Sequence, residues 1–235
     1  DQYFDRFVQW GEDTFNDELE LIVKMAAKKN IIFFNLPKKI EQFMRAFLPH
    51  NDNVVSDRVA RVCKSISDFL HSEYLLVEGL RKGILYHHGS VPDIVKLYIE
   101  RAYTEIPEIR HILCNSTLLE GVNIPAEKLF ILEIKKGRRN LSKSEFRNLV
   151  GRVCRFNEIF SGESGNLRML EPEIYLVGSD EYLSGQANLE KFIKKVAQVD
   201  LKLEDVVDNV LLEGVVIEED DDVTKDRKRE ADEFL

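Results

Sequence analysis

The sequence predicts an α/β fold: a parallel β-sheet flanked by helices on both faces, with a helical insertion and a charged C-terminal tail. Three observations carry that reading. Four short runs, at 31–34, 84–86, 109–113 and 129–134, are mostly apolar, the third interrupted by Arg110 and His111, as in strands covered on both faces rather than one. The stretches between them repeat apolar residues at helical spacing. Strand and helix alternate along the chain, which points to parallel strands joined by crossover helices.

Residues 16–29 read as the first helix, because Leu19, Ile22, Val23 and Ala26 recur at i, i+3, i+4 and i+7. After the strand at 31–34, Asn35-Leu36-Pro37 turns into a second helix. Pro37 suits the first helical position, where a missing N–H is no loss, and Ile40, Phe43, Met44 and Phe47 form the buried stripe. Residues 50–56 are polar and loop-like. A helical insertion at about 54–82 exceeds what a crossover needs. Val59, Val62, Ile66, Phe69 and Leu70 share one face, a break falls near His71, and Gly83 is a stop signal.

The strand at 84–86 ends at His87-His88-Gly89. Ser90 and Asp93, with Pro92 between them, read as a capped helix start, and Ile94, Val95, Ile99 and Ala102 as that helix's apolar side. A strand at 109–113, a short helical turn at 117–120 and a strand at 129–134 follow. Ser142 and Glu145 make a Ser-x-x-Glu capping box for a helix that runs into Arg152 and Arg155. A strand at 173–177 and a helix at 189–199 complete a domain taken as 1–200. Residues 201–235 read as a charged extension or linker, with five consecutive acids at 218–222.

The formal net charge of -9 argues against a protein coated in positive charge. The distribution says more. Between 135 and 155 stand Lys135, Lys136, Arg138, Arg139, Lys143, Arg147, Arg152 and Arg155 against the single acid Glu145. Cys63, Cys114 and Cys154 are far apart, which excludes a disulfide framework and a zinc site and suits a reducing, cytoplasmic setting. No apolar run is long enough to span a membrane. The first residue is Asp1 rather than Met, so a longer parent protein is expected.

Chemistry concentrates in two segments on either side of the strand at 129–134. The first is the polar loop Cys114-Asn115-Ser116-Thr117-Leu118-Leu119-Glu120-Gly121-Val122-Asn123-Ile124-Pro125-Ala126. The second is Asn148-Leu149-Val150-Gly151-Arg152-Val153-Cys154-Arg155. Arg152 and Arg155, three residues apart on a helix, leave nearly the same face. Each is a permanent charge that forks onto phosphate oxygens. Ligands of parallel sheets sit beyond the carboxyl ends of the strands, where Asn35, His87, His88, Ser116 and Thr117 all fall.

These segments resemble motifs V and VI of superfamily 2 helicases. The Ser-Thr-x-x-x-Gly-Val-Asn-x-Pro-Ala and Gly-Arg-x-x-Arg patterns, preceded by His-His-Gly at 87–89, are similar to the DEAD/DEAH-box branch over roughly residues 31–178. The resemblance implies a RecA-like domain, the second of two in such motors. It implies that Arg152 and Arg155 reach the γ-phosphate of ATP bound on a partner domain, as arginine fingers. It places Gly121, Asn123, Asn148 and Gly151 at the nucleotide. Asn35, His88, Gly89, Ser116 and Thr117 fall along the backbone of single-stranded nucleic acid, RNA or DNA. For Ser116 and Thr117 helix capping is an alternative, and for His88 a structural hydrogen bond within its loop. Three positions depart from the family pattern: Asn148 stands for glutamine, Val153 for alanine and Cys154 for glycine.

A Gly-x-x-x-x-Gly-Lys-Ser/Thr phosphate loop is absent from the sequence, as is a DEAD or DEAH box in the right order. ATP and magnesium are therefore expected to be held mainly by a first RecA-like domain outside this chain. A second reading, a helicase-like module that docks a protein partner without motor activity, rests on the acidic balance, Asn148 and Cys154. The first reading predicts that the purified 235-residue chain neither hydrolyses ATP nor unwinds duplexes. A phosphate-release assay with and without single-stranded nucleic acid checks this, and robust turnover would refute it.

Overall fold

The computed structural model describes residues 15–119, 124, 126–137, 139–151, 173–179, 181–182 and 188–197. Arg152, Arg155, Gly121 and Asn123 lie outside the described residues, as does the extension expected at 201–235. The described strands are β1 (Asn30–Phe33), β2 (Ile84–His87), β3 (His111–Cys114), β4 (Lys128–Ile131), β5 (Lys135–Lys136), β6 (Arg139–Asn140) and β7 (Glu173–Leu176). The described α-helices are α1 (Glu18–Met25), α2 (Pro37–Phe47), α3 (Asp57–Phe69), α4 (Leu75–Leu80), α5 (Asp93–Glu105), α6 (Ser116–Leu119), α7 (Lys143–Gly151) and α8 (Leu189–Ala197).

Five strands form one parallel sheet in the order β2-β3-β1-β4-β7. β1 to β4 are the apolar runs, and β1, β2 and β3 are buried at every position. The architecture is the expected α/β sheet flanked by helices, consistent with a RecA-like domain. Its register brings the strand ends level. Phe33 lies opposite Cys114 and Ile131, Cys114 opposite His87, and Ile131 opposite Leu176. The loops that leave these strands therefore start from one rim.

Core packing fixes the helices to the sheet. Phe34, Phe43 and Tyr182 meet with ring centroids 5.2–5.5 Å apart, and Phe47 packs against Phe43 at 5.3 Å with the rings tilted. At the amino edge, the Lys29 ammonium donates to the carbonyls of Tyr103, Ile106 and Ile109. It thereby satisfies the Tyr103 carbonyl, which the last turn of α5 leaves open, and ties that turn to the segment at Ile106 and Ile109. The expected insertion is present as α3 and α4, broken at 70–74. It ends at Gly83, whose φ of 71° suits a residue without a Cβ. A Cβ there would also come within 2.4 Å of the Glu108 carbonyl oxygen.

The structure corrects local expectations, among them the exposed Phe69 on the insertion's apolar face, and adds one element. Helix α1 stops at Met25, not residue 29, because the buried Asn30 side chain bonds back to the N–H and carbonyl of Ala27, at 2.8 and 2.9 Å. Helix α5 has Pro92 at its N-cap and no side-chain cap, and Ile94 is 65% exposed rather than buried. The addition is a two-residue antiparallel hairpin, β5–β6, turning at Gly137 with φ 64°.

Three histidines sit buried on β2, β3 and the loop between β2 and α5. His87 Nε2 lies 2.7 Å from Glu100 Oε1. His111 meets Phe47 edge-on, with centroids 5.3 Å apart. Burial pushes His87 down to about 4 and His111 down to about 3, from an ordinary 6.5. Below pH 6.5 the unfolded chain binds protons at these sites that the folded chain still refuses. Their stabilising contribution is thus complete above pH 6.5 and declines as pH falls toward 4. Urea midpoints should drop across that window, and His111→Gln should flatten the drop. An unchanged slope in that variant would contradict the assignment.

Candidate nucleic-acid interface at the carboxyl edge of the sheet

Four loops meet on the rim. The loop after β1 is held by a buried carboxylate. Glu133, only 5% exposed, accepts from the N–H groups of Asn35 and Leu36 at 2.8 and 3.2 Å. It also pairs with the Lys39 ammonium at 3.0 Å. Lys39 reaches on to the Tyr182 carbonyl at 2.6 Å. The Asn35 side chain answers by donating to the carbonyls of Glu133 and Lys135, at 2.9 and 2.8 Å. Asn35 therefore spends both amide protons fastening the loop after β1 to the root of the β5–β6 hairpin. Its Oδ1 is buried without a partner.

The loop after β2 carries His88 and Gly89. His88 is 1% exposed, lies flat against Tyr86 with centroids 5.1 Å apart, and accepts from the Ser90 N–H through Nδ1 at 3.2 Å. The same turn is closed by Val91 N–H donating to the His88 carbonyl at 3.0 Å. His88 thus shapes its own loop. Its Nε2 is buried and unpartnered, with Glu41 Oε1 at 3.7 Å, beyond hydrogen-bond length. Burial lowers its proton affinity, which favours the neutral ring. Gly89 follows, and a Cβ added there would sit 3.9 Å from Thr117 Cγ2. The His-His-Gly loop and the Ser-Thr turn, far apart in sequence, are neighbours in space.

Ser116 and Thr117 open α6, the short helix after β3. Asn115 is 7% exposed, and its Oδ1 accepts from the Thr117 N–H at 3.2 Å and the Thr117 hydroxyl at 2.6 Å. Asn115 therefore supplies the cap. The sequence offered a signal for this, an asparagine directly ahead of a helical turn. Both Ser116 and Thr117 remain partly exposed, as contact with a backbone phosphate requires.

Past Glu133 the chain forms the hairpin and then α7. The Ser142–Glu145 capping box is present, with Glu145 N–H on Ser142 Oγ at 3.2 Å and Ser142 N–H on Glu145 Oε2 at 2.8 Å. Glu145 also takes the Arg139 guanidinium in a fork, at 2.6 and 2.9 Å, and the Lys136 ammonium at 3.1 Å. Arg139 first, then the Ser142 N–H, hold the Glu145 carboxyl far below the usual carboxylate range. Two cations that the sequence counts toward a basic patch thus share one acid. Asn148 and Gly151 are exposed on α7, and a Cβ at Gly151 would meet nothing within 4 Å.

The rim thus gathers Asn35, His88, Gly89, Ser116 and Thr117. Of the expected nucleotide set, Asn148 and Gly151 are described. Sequence reasoning passed over Glu133, Lys39 and Asn115. Two of these had a visible signal: Glu133 is an acid within an otherwise apolar strand run, and Asn115 stands directly ahead of a helical turn.

No protein-family model matches the chain. Curated proteins similar to it include the Helicase POLQ-like of Drosophila melanogaster, 31% identical over 54% of this chain and 11% of that protein. Another is the ATP-dependent DNA helicase Hel308 of Thermoplasma volcanium, 26% identical over 65% of this chain and 23% of that protein. A third is the Anti-bacteriophage protein B of Escherichia coli K12, 30% identical over 42% of this chain and 13% of that protein. The chain spans a tenth to a quarter of the length of these relatives. The names among them support a relationship to helicases.

Removing a buried acceptor strands its donors. Glu133→Ala should lower the free energy of unfolding by about 2–4 kcal/mol, read as a shifted urea midpoint, because Lys39 and two backbone N–H groups lose their partner. A change below about 0.5 kcal/mol would show that the rim does not depend on this carboxylate.

Proposed function

We propose that this chain is the second RecA-like domain of an ATP-dependent DNA helicase or translocase, and that the carboxyl rim grips the phosphate backbone of one strand. One observation carries the reading: Gly89 and Thr117, from two separate helicase-like motifs, come together on the rim to which the hairpin and α7 are also fastened. The hydroxyl of the partly exposed Ser116 suits a phosphate oxygen without reading sequence, while the Thr117 hydroxyl is given to Asn115 and holds the turn. Relatives named as DNA helicases favour DNA over RNA.

In this reading Arg152 and Arg155 serve ATP held on a first RecA-like domain, together with Gly121, Asn123, Asn148 and Gly151. ATP with magnesium, when bound, supplies the phosphoryl group whose transfer drives the cycle. The open face of α7 around Asn148 and Gly151 suits a nucleotide presented by a neighbouring domain, not one enclosed by this chain. Asn35 and His88 act in it as loop-setting residues, since their polar atoms are turned into the protein. The 1–200 domain and the 201–235 extension belong to the same proposal.

The test uses the polypeptide that joins this chain to a phosphate-loop domain. Arg155→Ala should lower DNA-stimulated ATP hydrolysis by about 10³-fold or more, while filter binding to single-stranded DNA and its salt slope stay within about twofold of the parent. Unchanged hydrolysis would overturn the finger assignment. A parent protein that binds single-stranded DNA without a steep salt dependence would overturn the backbone grip.

A further inference from the structure

The β5–β6 hairpin and the start of α7 form a compact anion site that the chain fills with its own carboxylate. Arg139 presents two guanidinium nitrogens to Glu145, Lys136 adds an ammonium, and the Ser142 N–H completes the set, all within 2.6–3.1 Å. A guanidinium fork suits a carboxylate and a phosphate by the same paired geometry. The three side chains are 58%, 44% and 27% exposed for Arg139, Lys136 and Glu145, so an anion from solvent can reach them. The site is rooted beside the rim, because Asn35 holds the Lys135 carbonyl at 2.8 Å.

We propose that Arg139 and Lys136 are a binding site for one backbone phosphate of a nucleic acid, and that Glu145 occupies it in the free chain as an internal stand-in for that phosphate. This rests on the reading of the rim as a nucleic-acid interface. Binding is an exchange: the phosphate displaces the carboxylate from both cations, and no covalent bond changes. Exposed ion pairs hold weakly, so a polyanion can win the exchange. The carboxylate nevertheless taxes binding and keeps the two cations from attracting anions indiscriminately. The exchange also reaches further, because Glu145 completes the capping box of α7, the helix directly ahead of Arg152 in sequence. A phosphate on the hairpin alters the hydrogen bonding at the start of that helix.

Glu145→Gln separates these roles. Glutamine at this position still completes a capping box, so the helix start is kept while the competing charge is removed. Fluorescence anisotropy of the 235-residue chain with a labelled oligothymidylate, across a salt series, reads the outcome. Glu145→Gln should tighten binding about three- to tenfold at low salt. Adding Lys136→Gln and Arg139→Gln should abolish that gain and lower the slope of log affinity against log salt by about 0.7 for the phosphate lost. Circular dichroism melts of each variant confirm folding. Binding by the parent chain with no gain in Glu145→Gln would overturn this inference and leave the rim reading standing. Loss of the gain without a lower salt slope would overturn the phosphate site. Absence of binding by parent and variant alike would overturn both.

Discussion

A carboxylate removed from water must find donors or neutralise itself, and Glu133 finds three: two backbone N–H groups after β1 and the Lys39 ammonium. Through Lys39 the same contact reaches Tyr182, and through the Glu133 carbonyl it holds the Asn35 side chain. The loop after β1, the root of the hairpin and the turn at Tyr182 are therefore not independent. Parallel register brings the strand ends level, but level ends alone leave the loops free to splay. Glu133 and Asn35 turn a set of neighbouring loops into one surface.

The other loops reach the same rim by similar means. Asn115 spends its oxygen on Thr117, and His88 spends its Nδ1 on Ser90. In each case a buried polar side chain closes its own turn, and the neighbouring Ser116 and Gly89 stay at the surface. The rim thus divides between groups that hold shape and groups left available. Function in a sheet of this class belongs to such a site, not to the architecture.

The architecture was legible because its signals are dense. Residues 31–33, 84–86 and 112–114 are apolar without interruption, and such runs admit few arrangements other than a sheet covered on both faces. The Ser142–Glu145 box was legible because its spacing is itself the mechanism. The hairpin was not, since two-residue polar strands carry no periodicity and only Gly137 marks the turn. The direction of the Asn35 side chain was not legible either, because its partners are carbonyls about a hundred residues away. Ile94 misled, since an apolar residue beside a buried stripe looks buried in a one-dimensional pattern. The basic run misled in proportion: counting charges treats Lys136 and Arg139 as available, whereas Glu145 sits against both.

Hydrogen–deuterium exchange of the chain with and without single-stranded DNA tests most directly whether the carboxyl rim is the interface. The account predicts slowed exchange at 88–91, 115–119 and 135–147, with the amino-edge turns at 81–83 and 107–110 unaffected. Slowed exchange confined to the amino-edge turns, with the rim unchanged, would contradict it.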